Sequence, residues 1–202
     1  MDTVRVVLLG PPGAGKGTQA RQIADRLGVP AISTGQIFRT HVAEQTDLGR
    51  RVRPYLDAGE FVPDEVTIAT VEDRLTRPDA RAGFVLDGFP RTVRQGNALR
   101  TILTGMQTRL DCALELVVEE EEVIRRLANR RVTGDTAGGR RPNDQPDTIR
   151  HRLTVYREQT APLTEYYEAE GVLVRIDASG PVDQVTQRVM TALQTAASRR
   201  SP

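Results

Sequence analysis

Apolar runs alternating with amphipathic segments predict an α/β protein in which helices cover both faces of a five-stranded parallel sheet, giving three layers. Two observations carry that reading. The first run, VRVVLL over Val4–Leu9, reads as a buried strand, and a glycine-rich stretch, GPPGAGKGT over 10–18, follows it directly. Short runs of the same kind recur at Ala31–Ser33, 84–86, 113–118 and 172–176, each separated by segments with helical spacing. Crossovers in such a sheet are right-handed, and ligands sit at the carboxyl ends of the strands.

The elements follow in order. A helix over 18–27 is stopped by Gly28 and Pro30. After the second strand come two short helices, 36–44 and 48–58, and Pro63-Asp64-Glu65 opens another with proline and acids in its first turn. The third strand ends at Asp87-Gly88, and a helix covers 92–103. The fourth strand leads to a helix over 119–131, then to a polar, glycine-rich loop over 133–140. A long arginine-rich helix over 147–167 is expected to bend near Pro162, and the last strand precedes a helix over 182–197.

At 202 residues the chain builds one core. A net charge of +1 argues against a nucleic-acid partner, and no apolar run approaches the roughly 20 residues of a membrane helix. The first residues lack the basic start of a signal peptide, and Cys112 is the only cysteine, so no internal disulfide forms. A cytoplasmic protein is expected.

Gly10, Gly15 and Lys16 match the phosphate-binding pattern G-x-x-x-x-G-K-[ST], except that Gly17 stands where a hydroxyl is expected and Thr18 comes one place late. Between a strand and a helix, such glycines let backbone N–H groups converge on phosphate oxygens at the positive end of the helix dipole. Lys16 is also the only lysine among 28 basic residues. A compact ammonium and a planar guanidinium are not interchangeable where backbone crowds a phosphate.

Asp87, ending a buried strand, is placed to hold Mg²⁺ directly or through water; the alternative is a turn-forming or capping aspartate. Gly88 permits close backbone approach, and Arg91 projects where a second phosphate fits. Arg126, Arg130, Arg131, Arg140, Arg141, Arg150 and Arg152 flank the glycine-rich loop. Alone they read as solvated surface. Beside a phosphate loop they suit phosphoryl transfer, which asks for positioning and charge neutralisation.

The strings GPPGAGKGTQA, STGQIFR, DAGEFVPDE, GFVLDGFPRT, NRR and NDQPDTIRHRL together resemble the adenylate kinases from end to end. The resemblance implies a P-loop kinase fold and the reaction ATP + AMP ⇌ 2 ADP, with Mg²⁺ carried by ATP and no metal ligated by the protein itself. It implies a core of residues 1–32, 63–128 and 141–202, an AMP-binding insert over 33–62 and a short lid over 129–140. Gly13, Ala14, Gly15, Lys16, Gly17 and Thr18 would hold the ATP phosphates, with Arg130 touching ATP from the lid hinge and Gly180 at its adenine. Thr34, Arg39, Glu60, Phe61, Val62, Gly88, Phe89, Pro90, Arg91 and Gln95 would build the AMP pocket, with Glu60 to Val62 acting through backbone and Gln95 reading the adenine edge. Arg126, Arg141 and Arg152 would embrace the transferring phosphoryl group.

Three positions depart from the family pattern: Gln36 replaces an acid, Asn143 replaces the first of two aspartates, and the lid lacks cysteines for a structural zinc. A UMP/CMP kinase shares much of the pattern but would show alanine in place of Thr34 and an asparagine-containing segment in place of Gln95. A non-catalytic nucleotide-binding protein would not need arginines around the transfer point, and a plain ATPase would not need a second phosphate site. A monomer is expected.

Overall fold

The computed structural model describes residues 4–128 and 146–198. The expected lid over 129–140, its loop, Arg130, Arg141 and Asn143 lie outside the described residues. Five strands form one parallel sheet in the order β2-β3-β1-β4-β5, with β1 Val4–Leu9 central, β2 Ala31–Ser33, β3 Gly83–Asp87, β4 Cys112–Val117 and β5 Leu173–Asp177. β1 pairs with β3 on one side and β4 on the other, so the chain visits one half of the sheet before crossing to the other. The carboxyl ends at that crossover form a crevice, where ligands bind in open α/β sheets.

Alternation along β1 explains the fold. Val6 and Leu8 face one layer, against α1 (Lys16–Leu27) and α9 (Val182–Ser198), through Ile23, Ala24, Val185 and Val189. Val7 and Leu9 face the other, against α4 (Asp64–Thr76), α5 (Val93–Gly105) and α8 (Pro162–Ala169), through Val71, Leu75, Leu99, Leu103 and Leu163. A strand buried on both faces needs an unbroken apolar run, which is what this segment supplies.

Two smaller clusters stand apart. Phe38 of α2 (Thr34–Ala43), Val52 of α3 (Asp47–Ala58) and Val62 form one. Val123 and Leu127 of α6 (Glu120–Ala128) meet Ile149 and Leu153 of α7 (Pro146–Val155) in the other. Among the described residues no helix is long and apolar enough to cross a membrane.

One local expectation is corrected. Helix α1 begins at Lys16, not at residue 18, because the left-handed Gly15 already serves as its cap. The long helix over 147–167 runs as expected through this region, and its bend near Pro162 is made by a wide helical turn at Tyr156–Thr160. The Ala161 N–H reaches back five residues to the Tyr156 carbonyl, and Pro162, which has no N–H to give, starts its last segment, α8.

Helices α2 and α3 cross with no side chain between them at Gly49, where a Cβ would lie 2.0 Å from the His41 carbonyl oxygen. Gly49→Ala should therefore force the two helices apart and cost about 1–3 kcal/mol, read as a lowered midpoint in thermal or urea unfolding. An unchanged midpoint would mean that the crossing relaxes freely.

Candidate active site

The loop between β1 and α1 is shaped by its neighbours. Gly10 has φ +131, and a Cβ there would lie 2.7 Å from the Leu116 carbonyl oxygen of β4; one on Gly13, at φ +89, would lie 2.8 Å from Leu127 Cγ of α6. Only glycine lets the backbone pass this close. With Gly15 as its cap, α1 has no side chain over its first N–H groups, which leaves a helix N-terminus open to an anion. Lys16 folds over the loop, its Nζ donating to the carbonyls of Gly10 at 2.6 Å and Pro11 at 2.9 Å.

A cavity of about 870 Å³ opens at the carboxyl ends of the strands. The whole loop from Gly13 to Thr18 lines it, and so does Gly180 beyond β5. Arg126 and Arg152 line it from α6 and α7, and Arg39, Phe61, Gly88, Pro90 and Arg91 line the opposite end. The two ends are thus one continuous space. Asp87 sits between them, accepting from Ser33 Oγ at 3.3 Å, with Gly17 leaving room beside its carboxylate.

The arginines are held in place before any ligand arrives. Arg126 Nε donates to Glu122 Oε1 at 2.6 Å, an i,i+4 pair, and its terminal nitrogen reaches the Ala178 carbonyl at 3.0 Å. The guanidinium lowers the Glu122 carboxyl below its ordinary value, with Arg125 adding to the effect. Arg91 Nε donates to the Gly88 carbonyl at 2.8 Å, and its guanidinium lies 4.8 Å over the Phe61 ring. Burial lowers the basicity of Arg91, while Asp87 opposes that shift. A desolvated cation with one nearby carboxylate is a ready receptor for a phosphate.

Other expected residues stand behind the wall. Thr34 is 2% exposed and its hydroxyl donates to the Gly88 carbonyl at 2.8 Å. Gln95 is 1% exposed, with both ends of its amide already engaged: Oε1 accepts from the Arg91 N–H at 2.8 Å and Nε2 donates to Asp64 Oδ1 at 2.6 Å. Phe89 is fully buried in the core, and Val62 packs with Phe38 and Val52. The Glu60 carboxylate meets His151 Nε2 at 2.5 Å, linking the end of α3 to α7.

Sequence reasoning missed three participants. The wide turn brings Tyr156 and Thr160 to the cavity, and Thr160 Oγ1 donates to the Arg91 carbonyl at 2.9 Å. No local pattern marks such a turn. Asp64, read as a helix-opening acid, accepts from both Thr92 and Gln95.

The adenylate kinase family model matches residues 8–172. The chain belongs to the adenylate kinase family. It is 56% identical to the adenylate kinase of Thermobifida fusca, over 96% of this chain and all of that protein. Against the adenylate kinase of Acidothermus cellulolyticus it is 53% identical, covering 95% of this chain and 98% of the other. The enzyme of Mycobacteroides abscessus is 52% identical over 94% of this chain and 99% of its own length. Membership makes the chain a nucleotide phosphotransferase, and the glycine-rich loop and the arginines of its motifs line one cavity.

Burial, reinforced by the Glu115 carboxylate, pushes the Tyr156 phenol up to about 12. An unfolded phenol ionises near pH 10, so the fold keeps a proton that the unfolded chain releases. The stability contributed is complete below pH 10 and is lost as pH rises toward 12. Tyr156→Phe should flatten the fall of the thermal midpoint across that window, leaving the part due to Tyr167, which burial also raises. An unchanged slope would clear Tyr156 of the effect.

Proposed function

We propose that this member of the family catalyses ATP + AMP ⇌ 2 ADP with the residue roles that its motifs imply. The observation that carries the reading is a single cavity with a phosphate loop at one end and Arg39 and Arg91 at the other. Gly13 to Thr18 hold the ATP phosphates, and Gly180 borders the adenine. Arg39 and Arg91 take the AMP phosphate, with Thr34 at the adenine side of AMP and Gln95 reading the adenine edge. Arg126 and Arg152, joined by Arg130 and Arg141, surround the migrating group.

The chemistry needs little more. An AMP phosphate oxygen attacks the γ-phosphorus of ATP; that P–O bond forms as the bond to the β-phosphate oxygen breaks, and ADP leaves. The attacking oxygen is already anionic, so no general base is required. Among the described residues no histidine lines the cavity, and the two carboxylates that do, Asp87 and Glu122, are engaged with Ser33 and Arg126. The work falls to positioned charge and to exclusion of water, where a single arginine contributes roughly 10³ to 10⁵ in rate.

Mg²⁺ enters with ATP. The donor set fits that role: Asp87 offers one hard oxygen beside Gly17, and no group of three acidic, histidine or cysteine residues gathers among the described residues. Asp87 would hold the ion directly or through water, with ATP phosphate oxygens supplying the rest of its ligands. When bound, it draws charge from the phosphates during transfer.

The same reading makes residues 33–62 an AMP-binding insert, supported by the separate Phe38, Val52 and Val62 cluster, and 129–140 a short lid. The alignment with the A. cellulolyticus protein runs over 213 positions, more than this chain has, so that relative carries residues missing here. A cytoplasmic monomer completes the proposal.

The decisive measurement is ADP formation from MgATP with AMP, CMP, UMP or no acceptor. AMP should be strongly preferred. Turnover with CMP or UMP and none with AMP would overturn the acceptor, and equal turnover without acceptor would overturn phosphoryl transfer between nucleotides. Arg91→Ala should lower the rate by orders of magnitude while the unfolding midpoint holds; a fall in stability alone would make Arg91 structural.

A further inference from the structure

Asp64 lies in the first turn of α4, where an acid is ordinarily explained by the helix dipole. Its neighbour Glu65 fits that explanation: it is exposed and lowered by its own backbone contact and by Arg94. Asp64 is turned the other way. Its two oxygens accept separately, Oδ1 from Gln95 Nε2 at 2.6 Å and Oδ2 from Thr92 Oγ1 at 3.1 Å.

These contacts form a relay. Gln95 Oε1 accepts the Arg91 N–H at 2.8 Å, and Thr92 Oγ1 accepts the Gln95 N–H at 3.1 Å. The orientation of the Gln95 amide is not free, because a carboxylate only accepts and a peptide N–H only donates; swapping the amide ends would break both contacts. Asp64 thereby dictates which end of Gln95 faces Arg91. From the other side Thr160 holds the Arg91 carbonyl, so the peptide units on both sides of Arg91 are tied. The side chain then has Gly88 and the ring of Phe61 to define its course. Phe61 itself lies three residues before Asp64, so one short segment supplies both the ring under the guanidinium and the anchor of its backbone.

We propose that Asp64 is a positioning residue for the acceptor half of the site, fixing Thr92 and Gln95 and through them the Arg91 peptide, so that the guanidinium is preset for the acceptor phosphate. The inference rests on the reading of Arg91 as the acceptor-phosphate residue. Asp64 touches no reacting atom. Its effect is on where Arg91 stands, and it should therefore be confined to one substrate.

Steady-state kinetics of the full chain tests this, with AMP and MgATP each varied. Asp64→Ala should raise the KM for AMP about tenfold, as expected for loss of hydrogen bonds to a charged group, with the KM for ATP within about twofold. Asp64→Asn should recover most of that loss, since its carbonyl can accept from Gln95 and its amide can donate to Thr92. Combining Asp64→Ala with Thr92→Val should cost no more than about twofold beyond Asp64→Ala alone, because the two act in series. Equal shifts in both KM values, no rescue by asparagine, or multiplying effects in the double variant would each overturn the proposal. Should Asp64→Ala fail to fold, Thr92→Val, which cuts the same chain at a residue with no proposed AMP contact, must show the same one-sided shift. Arg91→Ala separates the two levels: if it leaves the KM for AMP and kcat untouched, the acceptor reading itself falls. If Arg91→Ala is impaired while Asp64→Ala behaves as wild type, only the relay is wrong.

Discussion

A backbone must pass within contact distance of both β4 and α6 with no room for a side chain, and the site rests on that constraint. The missing Cβ atoms of Gly10 and Gly13 would strike Leu116 and Leu127. Those near-contacts seat the loop on strand β4 and on a helix that carries Arg126. The loop therefore inherits the rigidity of the core, and its residues line the cavity in a fixed course. Electrostatic stabilisation of a transferring group depends on such preorganisation, because a site that must reorganise spends part of its binding energy doing so.

The same logic extends to the arginines. A guanidinium in water is mobile and well solvated; here Arg126 is pinned by Glu122 and by the Ala178 carbonyl, and Arg91 by its backbone neighbours and an aromatic ring. The backbone anchor of Arg91 leaves its positive charge uncancelled, whereas Glu122 offsets part of that of Arg126. Asp87 is the counter-example, a carboxylate close enough to Arg91 to support its charge, yet placed beside Gly17 where a cation arriving with phosphate would meet it. The cavity is thus electrostatically unfinished, and nucleotides complete it.

Much of this was legible in the chain because it depends on short-range spacing. The apolar runs announced both-faces burial, and the glycine loop announced a turn into a helix. A boundary failed where backbone geometry overruled composition: Gly15 caps α1 two residues earlier than the side chains suggested. The bend near Pro162 was legible, but not the wide turn, begun six residues before it, that makes it. Contacts between distant segments were illegible for a different reason. Asp64 with Gln95, Glu60 with His151, and Thr160 with Arg91 exist only because the tertiary fold brings separate elements together. Local pattern assigns each of those side chains an adequate but incomplete task, such as a first-turn acid or a surface charge. Gln95 is the instructive case: nothing in its local sequence shows that Arg91 and Asp64 engage both ends of its amide.

The distribution of basic residues has a chemical corollary. Every surface cation of this protein except the amino terminus is an arginine, and its one side-chain amine sits in the loop, bonded to the Gly10 and Pro11 carbonyls. Acylation, glycation, or conjugation of a modifier to a lysine has a single address here, and that address is the phosphate loop. The protein therefore lacks the decoy lysines that usually dilute such chemistry over a surface: any side-chain amine modification is also an active-site modification, and bound nucleotide is its natural shield.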